Sequence, residues 1–420
     1  MRILISTFGT RGDVQPYVAL GVALRAMGHD VTVSTGQGFD DMIAAYGLTP
    51  APATIDYRAL LDTPEAQAAL RTFSGKVKAL TAFKRHILQQ LDDMWRIAQD
   101  VQPDAIVYHA KAHASQHIAE KLGIIAIPTA LQPLLVPTQA FPCILLPFGD
   151  LGPKGNLYSH QFLNWVMTAV QRPMLKKWCQ ERLGLSGEIT RFILDGYDPS
   201  GRPVPRLHGY SRHLVPKPKD WSENEHITGY WSLPPEEAWQ PPEDLALFLQ
   251  AGDPPVYIGF GSMPAQNARA QTLIVLNTLH QTGQRAVLAT GWGGLESIAT
   301  SDAIHVLEAA PHSWLFPRCS AIVHHGGAGT THEALLWGRP SLVCPVGADQ
   351  PFWGRRIAKL GLGPEPIPQR RLTRAALAEA LIALKDPAMI ARAGEMSAAM
   401  RAEGGALEAA NLVNAFLTTQ

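Results

Sequence analysis

The chain has 420 residues, more than one compact core usually serves, so two domains are the first expectation. Lysine plus arginine equals aspartate plus glutamate at 36 each, which leaves no net field to favour nucleic acid or an acidic membrane. Cys143, Cys179, Cys319 and Cys344 are scattered without metal spacing or the pattern of a disulfide framework, and buried free thiols are the default reading. Met1-Arg2 leads into a short strand rather than a signal segment, and no run of roughly 18 apolar residues appears, so a cytoplasmic enzyme is expected.

Arg2–Phe8 reads as a strand and Gly9-Thr10-Arg11-Gly12-Asp13 as the turn after it. A helix follows, with Pro16 near its start and Val18, Leu20, Val22, Leu24 and Met27 along it, closing at Gly28 before a strand at Val31–Ser34. This order begins a doubly wound parallel sheet. The glycines do not follow G-x-G-x-x-G, and Thr35-Gly36 rather than an acid ends the second strand, which argues against a nicotinamide enzyme. Thr49–Leu70 reads as irregular and Val77–Gln99 as helical. Asp104–Tyr108 is a buried strand from which His109 leads into a helix, and Ile124–Thr129 is another strand.

Gln132–Gly155 carries five prolines, Phe141, Leu145, Leu146 and Phe148, and few charges. Its apolar composition argues against disorder. Two readings stand: a hydrophobic lip or acceptor pocket, or a loop whose apolar residues plug the core. Tyr158–Leu183, with Trp165 and Trp178, reads as a core helix.

Strands return at Arg206–Tyr210 and Ile227–Gly229, and Pro216–Pro242 holds six prolines and three tryptophans, the composition of a semi-rigid linker. A second strand–turn–helix series starts after Pro255 with VYIGFGSM and a helix from about Ala268 to Gln281. Strands at Arg285–Thr290, Ile304–Leu307, Ala321–His324 and Ser341–Cys344 follow, and Leu372–Leu384 and Glu403–Leu417 are closing helices. The expected division is a domain over 1–215, a linker over 216–242, a second domain over 243–402 and a closing helix over 403–420.

The stretch Ser320–Pro351 carries the most chemistry. A buried strand runs into Gly326, Gly327 and Gly329, then Thr330, Thr331 and Glu333 lead to a helix read over Ala334–Trp337. Such a turn lets the backbone approach a ligand and aims unpaired N–H groups and the positive helix end at an anion. Asp349-Gln350 stands at the carboxyl end of the next strand, where ligands of open sheets bind. Two other readings are open: a tight turn with ordinary loop histidines, and a zinc site on His324, His325 and His332, against which the lack of a cysteine pair counts.

The run HHGGAGTT with DQPFWGRR, and GTRGDVQP at the amino terminus, resembles nucleotide-sugar-dependent glycosyltransferases of the B-type fold, most of all their sterol glucosyltransferase branch. The resemblance covers most of the chain. It implies two Rossmann-like α/β domains facing across a cleft, the amino-terminal one for the acceptor and the carboxy-terminal one for the nucleotide sugar, with the last helix returning to the first domain. It further implies that Ser262, His325 and the Gly327, Gly329 and Thr330 backbone hold the pyrophosphate without a metal. Glu333 then accepts the ribose hydroxyls and Asp349 and Gln350 those of glucose, although Glu333 also reads as a helix-start acid on the dipole. Plant relatives stack the uracil on a tryptophan just before Ala-Pro-Gln, whereas this chain reads Ala309-Ala310-Pro311-His312, so Trp292 is the candidate stacking face.

In plant relatives the frame G-H-x-x-P carries the catalytic histidine, and here it reads Gly12-Asp13-Val14-Gln15-Pro16. Asp13 therefore matches the general base, as in the antibiotic branch, while a plain helix cap is its other reading. His109 is the candidate partner or acceptor-orienting group, and a core histidine is its other reading. The expected activity is inverting transfer of glucose from UDP-glucose to a lipophilic alcohol such as a sterol, triterpenoid or polyphenol, with no cofactor and no metal. The alternatives are transfer of another UDP- or dTDP-hexose to a polyketide or peptide antibiotic aglycone and, more remotely, a sugar-nucleotide epimerase. Partners are thus a nucleotide sugar and a small alcohol, with no nucleic acid; peripheral membrane contact and oligomeric state stay open.

Overall fold

The computed structural model describes residues 1–61, 63, 65, 66, 83–134, 136–146, 148–186, 201–235, 239–261, 268–291, 295 and 301–418. The chain forms two compact units, Met1–Ser232 with Glu403–Gln420, and Leu233–Ala402. Each is built on one parallel sheet.

The first sheet contains β1 (Arg2–Ser6), β2 (Asp30–Thr35), β3 (Thr49–Pro52), β4 (Ala105–His109), β5 (Ile125–Ala130), β6 (Arg206–His208) and β7 (Glu225–Ile227), in the order β3-β2-β1-β4-β5-β6-β7. Inside it, β1 pairs Ile3 with Val31 on one side and with Ala105 on the other. Helices cover both faces, so Ile3, Leu4 and Ile5 are all buried and the strand reads as an unbroken apolar run rather than an alternating one. β3 was not expected from the sequence, because Pro50 and Pro52 lower strand propensity. It sits at the sheet edge, where a missing N–H costs nothing on the open side.

The helix Arg11–Ala26 buries Val14, Tyr17, Val18, Leu20 and Leu24, and the last helix, Gly405–Thr418, packs on it. His29 Nε2 lies 3.1 Å from Asn414 Oδ1, and the Arg212 amide donates to Glu403 Oε1 at 2.8 Å. The unit runs on past 215, where the sequence reading closed the domain. Trp221 and Trp231 are both buried in it, Trp231 edge-on to Tyr17 at 5.5 Å with its indole N–H on Thr228. The long aromatic helix spans Gly152–Trp178 and continues through a wider turn at Cys179–Leu183. Trp178 is core and donates to Asp92 at 2.9 Å, but Trp165 is 69% exposed, against the expectation that both are core.

The second sheet contains β8 (Val256–Gly259), β9 (Ala286–Ala289), β10 (Ile304–Leu307), β11 (Ala321–His324) and β12 (Ser341–Val343), in the order β10-β9-β8-β11-β12. Ile258, Leu288, Val323 and Leu342 fill its core with Val275 and Leu279 of the helix Ala268–Thr282. The helix after β11 begins at Ala328, not Ala334. Gly326, at φ +93°, turns the chain, and Gly327 starts the helix in extended geometry, so Gly329 and Thr330 belong to its first turn.

Each sheet winds outward from its first strand in both directions. The order reverses between β1 and β4 in the first unit and between β8 and β11 in the second. Open parallel sheets bind ligands at the carboxyl ends of the strands flanking such a reversal.

Candidate active site

In the first unit the turns after β1 and β4 meet. Asp13, in the first turn of its helix, is 8% exposed, and its Oδ2 accepts from the Thr10 amide at 2.9 Å and the Thr10 hydroxyl at 3.3 Å. Its Oδ1 accepts from Lys111 Nζ at 2.8 Å. Gly9 makes this possible. Its φ is +141°, and a Cβ there would lie 2.1 Å from Asp13 Oδ2 and 2.8 Å from Lys111 Nζ. Burial by itself would raise the Asp13 carboxyl. The Lys111 charge, then His109 and the hydrogen bonds, outweigh it and hold the pKa below its ordinary 3.8.

His109 ends β4, 2% exposed, with its ring edge-on to Tyr17 at 5.6 Å. Burial lowers its pKa to about 4 against the pull of Asp13, so the imidazole is neutral at physiological pH. Its Nδ1 is buried and has no hydrogen-bond partner among the described residues. Lys111 was not singled out in the sequence. It stands two residues past a strand end, and no local pattern says that its side chain reaches Asp13.

In the second unit the His325 ring lies between two glycines. A Cβ on Gly261, in the turn after β8, would come within 2.5 Å of its Cε1, and one on Gly327 within 2.6 Å of its Nε2. Gly261 has φ +73°. Burial lowers His325 to about 4, and its Nδ1 has no hydrogen-bond partner among the described residues. His324 is turned away into the core, where its Nδ1 accepts from the Gly326 amide at 3.1 Å. His332 Nδ1 pairs with the Ala328 carbonyl at 2.7 Å and its ring meets Trp353 edge-on. Among the described residues no group of three or more His, Cys, Asp or Glu side chains is placed to share a metal ion.

Gly327, Gly329 and Thr330 stand at the start of the helix Ala328–Leu336, beside His325. Glu333 faces inward on it, 3% exposed, and its Oε1 accepts from the Trp337 indole at 2.8 Å. Asp349 Oδ2 accepts from the Trp353 indole at 2.8 Å, and Gln350 Oε1 from the amides of Val346 and Gly347. Ala348 just before them has φ +55°, a conformation costing an L-residue roughly 1–2 kcal/mol. Strain of this kind gathers where a loop must present particular side chains. His312 stacks on Phe316 at 4.3 Å and lies 3.3 Å from the Tyr257 hydroxyl, while Ala310 packs on the same cluster. Ser262 and Trp292 lie outside the described residues.

Residues 3–134 match the glycosyltransferase family 28 N-terminal domain, and residues 276–416 match the erythromycin biosynthesis protein CIII-like C-terminal domain. The O-mycaminosyltylonolide 6-deoxyallosyltransferase of Streptomyces fradiae is 32% identical over 435 residues, covering 100% of this chain and 98% of that protein. The chain belongs to the nucleotide-sugar-dependent glycosyltransferases. Sterol 3-beta-glucosyltransferase UGT80A2 of Arabidopsis thaliana is 34% identical to this glycosyltransferase over 414 residues, or 96% of the chain. The chain spans 64% of that plant protein's length. Among solved structures, the glycotransferase of kitacinnamycin superposes with a TM-score of 0.74 at 19% identity over 99% of each chain. VinC, solved in complex with dTDP, gives 0.66 at 18% identity over 100% of each. These two matches carry the fold, two parallel-sheet α/β domains of the B type.

The four apolar candidates of the glycosyltransferase's 132–151 stretch differ in burial. Leu146 is buried against Cys143 and Leu163, with Leu145 packed beside them, as the core-plugging reading requires. Phe141 packs edge-on against His160, and Phe148 is 44% exposed.

Proposed function

We propose that this glycosyltransferase is an inverting enzyme that moves glucose from UDP-glucose to a hydroxyl of a lipophilic acceptor, such as a sterol, triterpenoid or polyphenol, with Asp13 as general base. The observation that carries the reading is the Asp13 carboxylate, held ionised by Lys111 at the reversal of the first sheet. In the reaction the acceptor oxygen bonds to the anomeric carbon as its bond to the β-phosphate oxygen breaks. The hydroxyl proton passes to Asp13, UDP departs, and the configuration inverts. General-base assistance of this kind contributes ~10²–10⁴-fold. His109, neutral and buried beside the carboxylate, orients the acceptor.

The donor roles are assigned to residues of the second unit. His325, the Gly327, Gly329 and Thr330 backbone and Ser262 neutralise the leaving diphosphate, in place of a metal. Activity is therefore expected to survive a chelator at saturating donor. Asp349 and Gln350 hold the glucose hydroxyls, and Glu333 the ribose, each sharing its carboxylate or amide with the protein contact described above. Stacking on the base is assigned to Trp292, with Ala310 and His312 as further donor contacts.

The sterol glucosyltransferase relatives favour glucose and a lipophilic alcohol. The near full-length match to the 6-deoxyallosyltransferase favours a second reading, another UDP- or dTDP-hexose on a polyketide or peptide antibiotic aglycone. UDP-glucose and a dTDP-hexose are offered separately with panels of sterols, triterpenoids, polyphenols and macrolides, and products are read by mass spectrometry and NMR. The first reading expects a β-glucoside from UDP-glucose. A product formed only from the dTDP sugar moves the assignment to the second reading, and an α-linked product overturns inversion.

A further inference from the structure

The helix Gly152–Trp178 has two faces of different character. Asn156, Ser159, His160, Leu163, Leu175 and Trp178 turn inward and are buried. Away from them Leu151, just before the helix, and Tyr158, Phe162 and Trp165 are 47%, 64%, 49% and 69% exposed. Their spacing of seven, four and three residues places them on one stripe of an α-helix. Phe148, immediately upstream, and Val170 are exposed as well. Phe148, Tyr158, Phe162 and Trp165 are all the large aromatic side chains this exposed among the described residues.

Charge on the same helix is one-sided. Residues 152–178 contain Lys154, Arg172, Lys176 and Lys177 and no aspartate or glutamate, in a chain whose acidic and basic residues balance. Lys176 and Lys177 are exposed, and Lys177 pairs at 3.7 Å with Glu181 of the wider turn that follows, which leaves Lys154, Arg172 and Lys176 as the larger share of the positive charge. Water-facing aromatics in a row are unfavourable unless something covers them. Tryptophan and tyrosine are favoured at the boundary between headgroups and acyl chains, and cations beside them are drawn to anionic lipid. No helix among the described residues is long and apolar enough to cross a membrane.

We propose that this helix is a membrane-surface docking element: Leu151, Tyr158, Phe162 and Trp165 enter the interfacial layer of an anionic bilayer, with Arg172, Lys176 and Lys177 against its phosphates. A second copy of the chain is a poorer occupant, because it would bring a further Lys154, Arg172 and Lys176 to the same face. The proposal does not depend on which alcohol the enzyme glycosylates.

The test is co-sedimentation of the full chain with vesicles of phosphatidylcholine alone and of phosphatidylcholine mixed with phosphatidylglycerol. Binding is expected to the mixed vesicles, to weaken with added salt, and to be much lower on phosphatidylcholine. Phe162→Ser with Trp165→Ser should lower binding ~10-fold or more in a variant that circular dichroism shows to be folded, since the two side chains are 49% and 69% exposed. Lys176→Gln with Lys177→Gln should lower binding to the mixed vesicles and leave the weak phosphatidylcholine binding as it was. Wild-type chain that sediments with neither vesicle overturns the proposal, as does an aromatic variant that binds like wild type. A dimer in sedimentation velocity that the aromatic changes dissociate, without vesicle binding, assigns the stripe to a second copy instead.

Discussion

Lys111 Nζ donates to Asp13 Oδ1 at 2.8 Å across 98 residues of chain, tying the turn after β1 to the turn after β4. The pair keeps the Asp13 carboxyl below its ordinary value although the group is buried. A charge beside a base makes it a weaker but permanently ionised one. Lys111→Met leaves burial unopposed by its largest counterweight, so the acidic limb of kcat/KM should move to higher pH. The stability sign follows from the same shift. A carboxyl lowered by folding contributes stability above its unfolded pKa and loses it as pH falls through the folded one. The variant should therefore melt lower than wild type at neutral pH and by a smaller margin in strong acid. An unmoved acidic limb would show that Lys111 does not tune the base.

Asp13→Asn separates the cap from the base. The amide oxygen still accepts from Thr10, so the helix start survives, but the group takes no proton. We expect kcat to fall ~10²-fold or more at unchanged donor affinity. An acidic phenol should suffer less than an aliphatic alcohol, because it needs less help in losing its proton. Near-normal kcat on the aliphatic alcohol would exclude Asp13 and direct attention to His109.

Gly327→Ala tests the His325 seat without straining the backbone. At φ −60° and ψ 143° alanine is at ease there, but its Cβ would press on His325 Nε2 at 2.6 Å. Displacing the ring should cost one hydrogen bond to the diphosphate, ~1.5–3 kcal/mol, or ~10–100-fold in UDP affinity by calorimetry. The melting temperature should stay within a degree or so of wild type, about what a surface change does. Unchanged UDP affinity would remove His325 from the phosphate site.

Asp349→Ala is a poor probe, since it strips the buried Trp353 indole of its acceptor. Asp349→Asn keeps an oxygen for that N–H and removes the charge. If Asp349 holds the sugar, turnover of UDP-glucose should fall ~10-fold or more while binding of free UDP is unaltered. Equal losses of both would place Asp349 at the nucleotide instead.

Short unbroken apolar runs, glycine turns and amphipathic stretches were enough to read two doubly wound domains, and the strands named from sequence differ from those observed mainly at their ends. β3 escaped because two prolines hide an edge strand from any propensity argument. The Asp13 frame and the glycine run around His325 were legible because a turn's chemistry is written in consecutive residues. What stands beside those turns was not. Strand order brings Lys111 to Asp13 and Gly261 to His325, and strand order is a property of the folded sheet. The same holds for Trp165 and Trp178, on one helix and equally apolar in sequence. Only the packing of the first unit decides that one is core and the other faces solvent, because burial depends on what lies opposite a helix face, and neighbouring residues do not encode that.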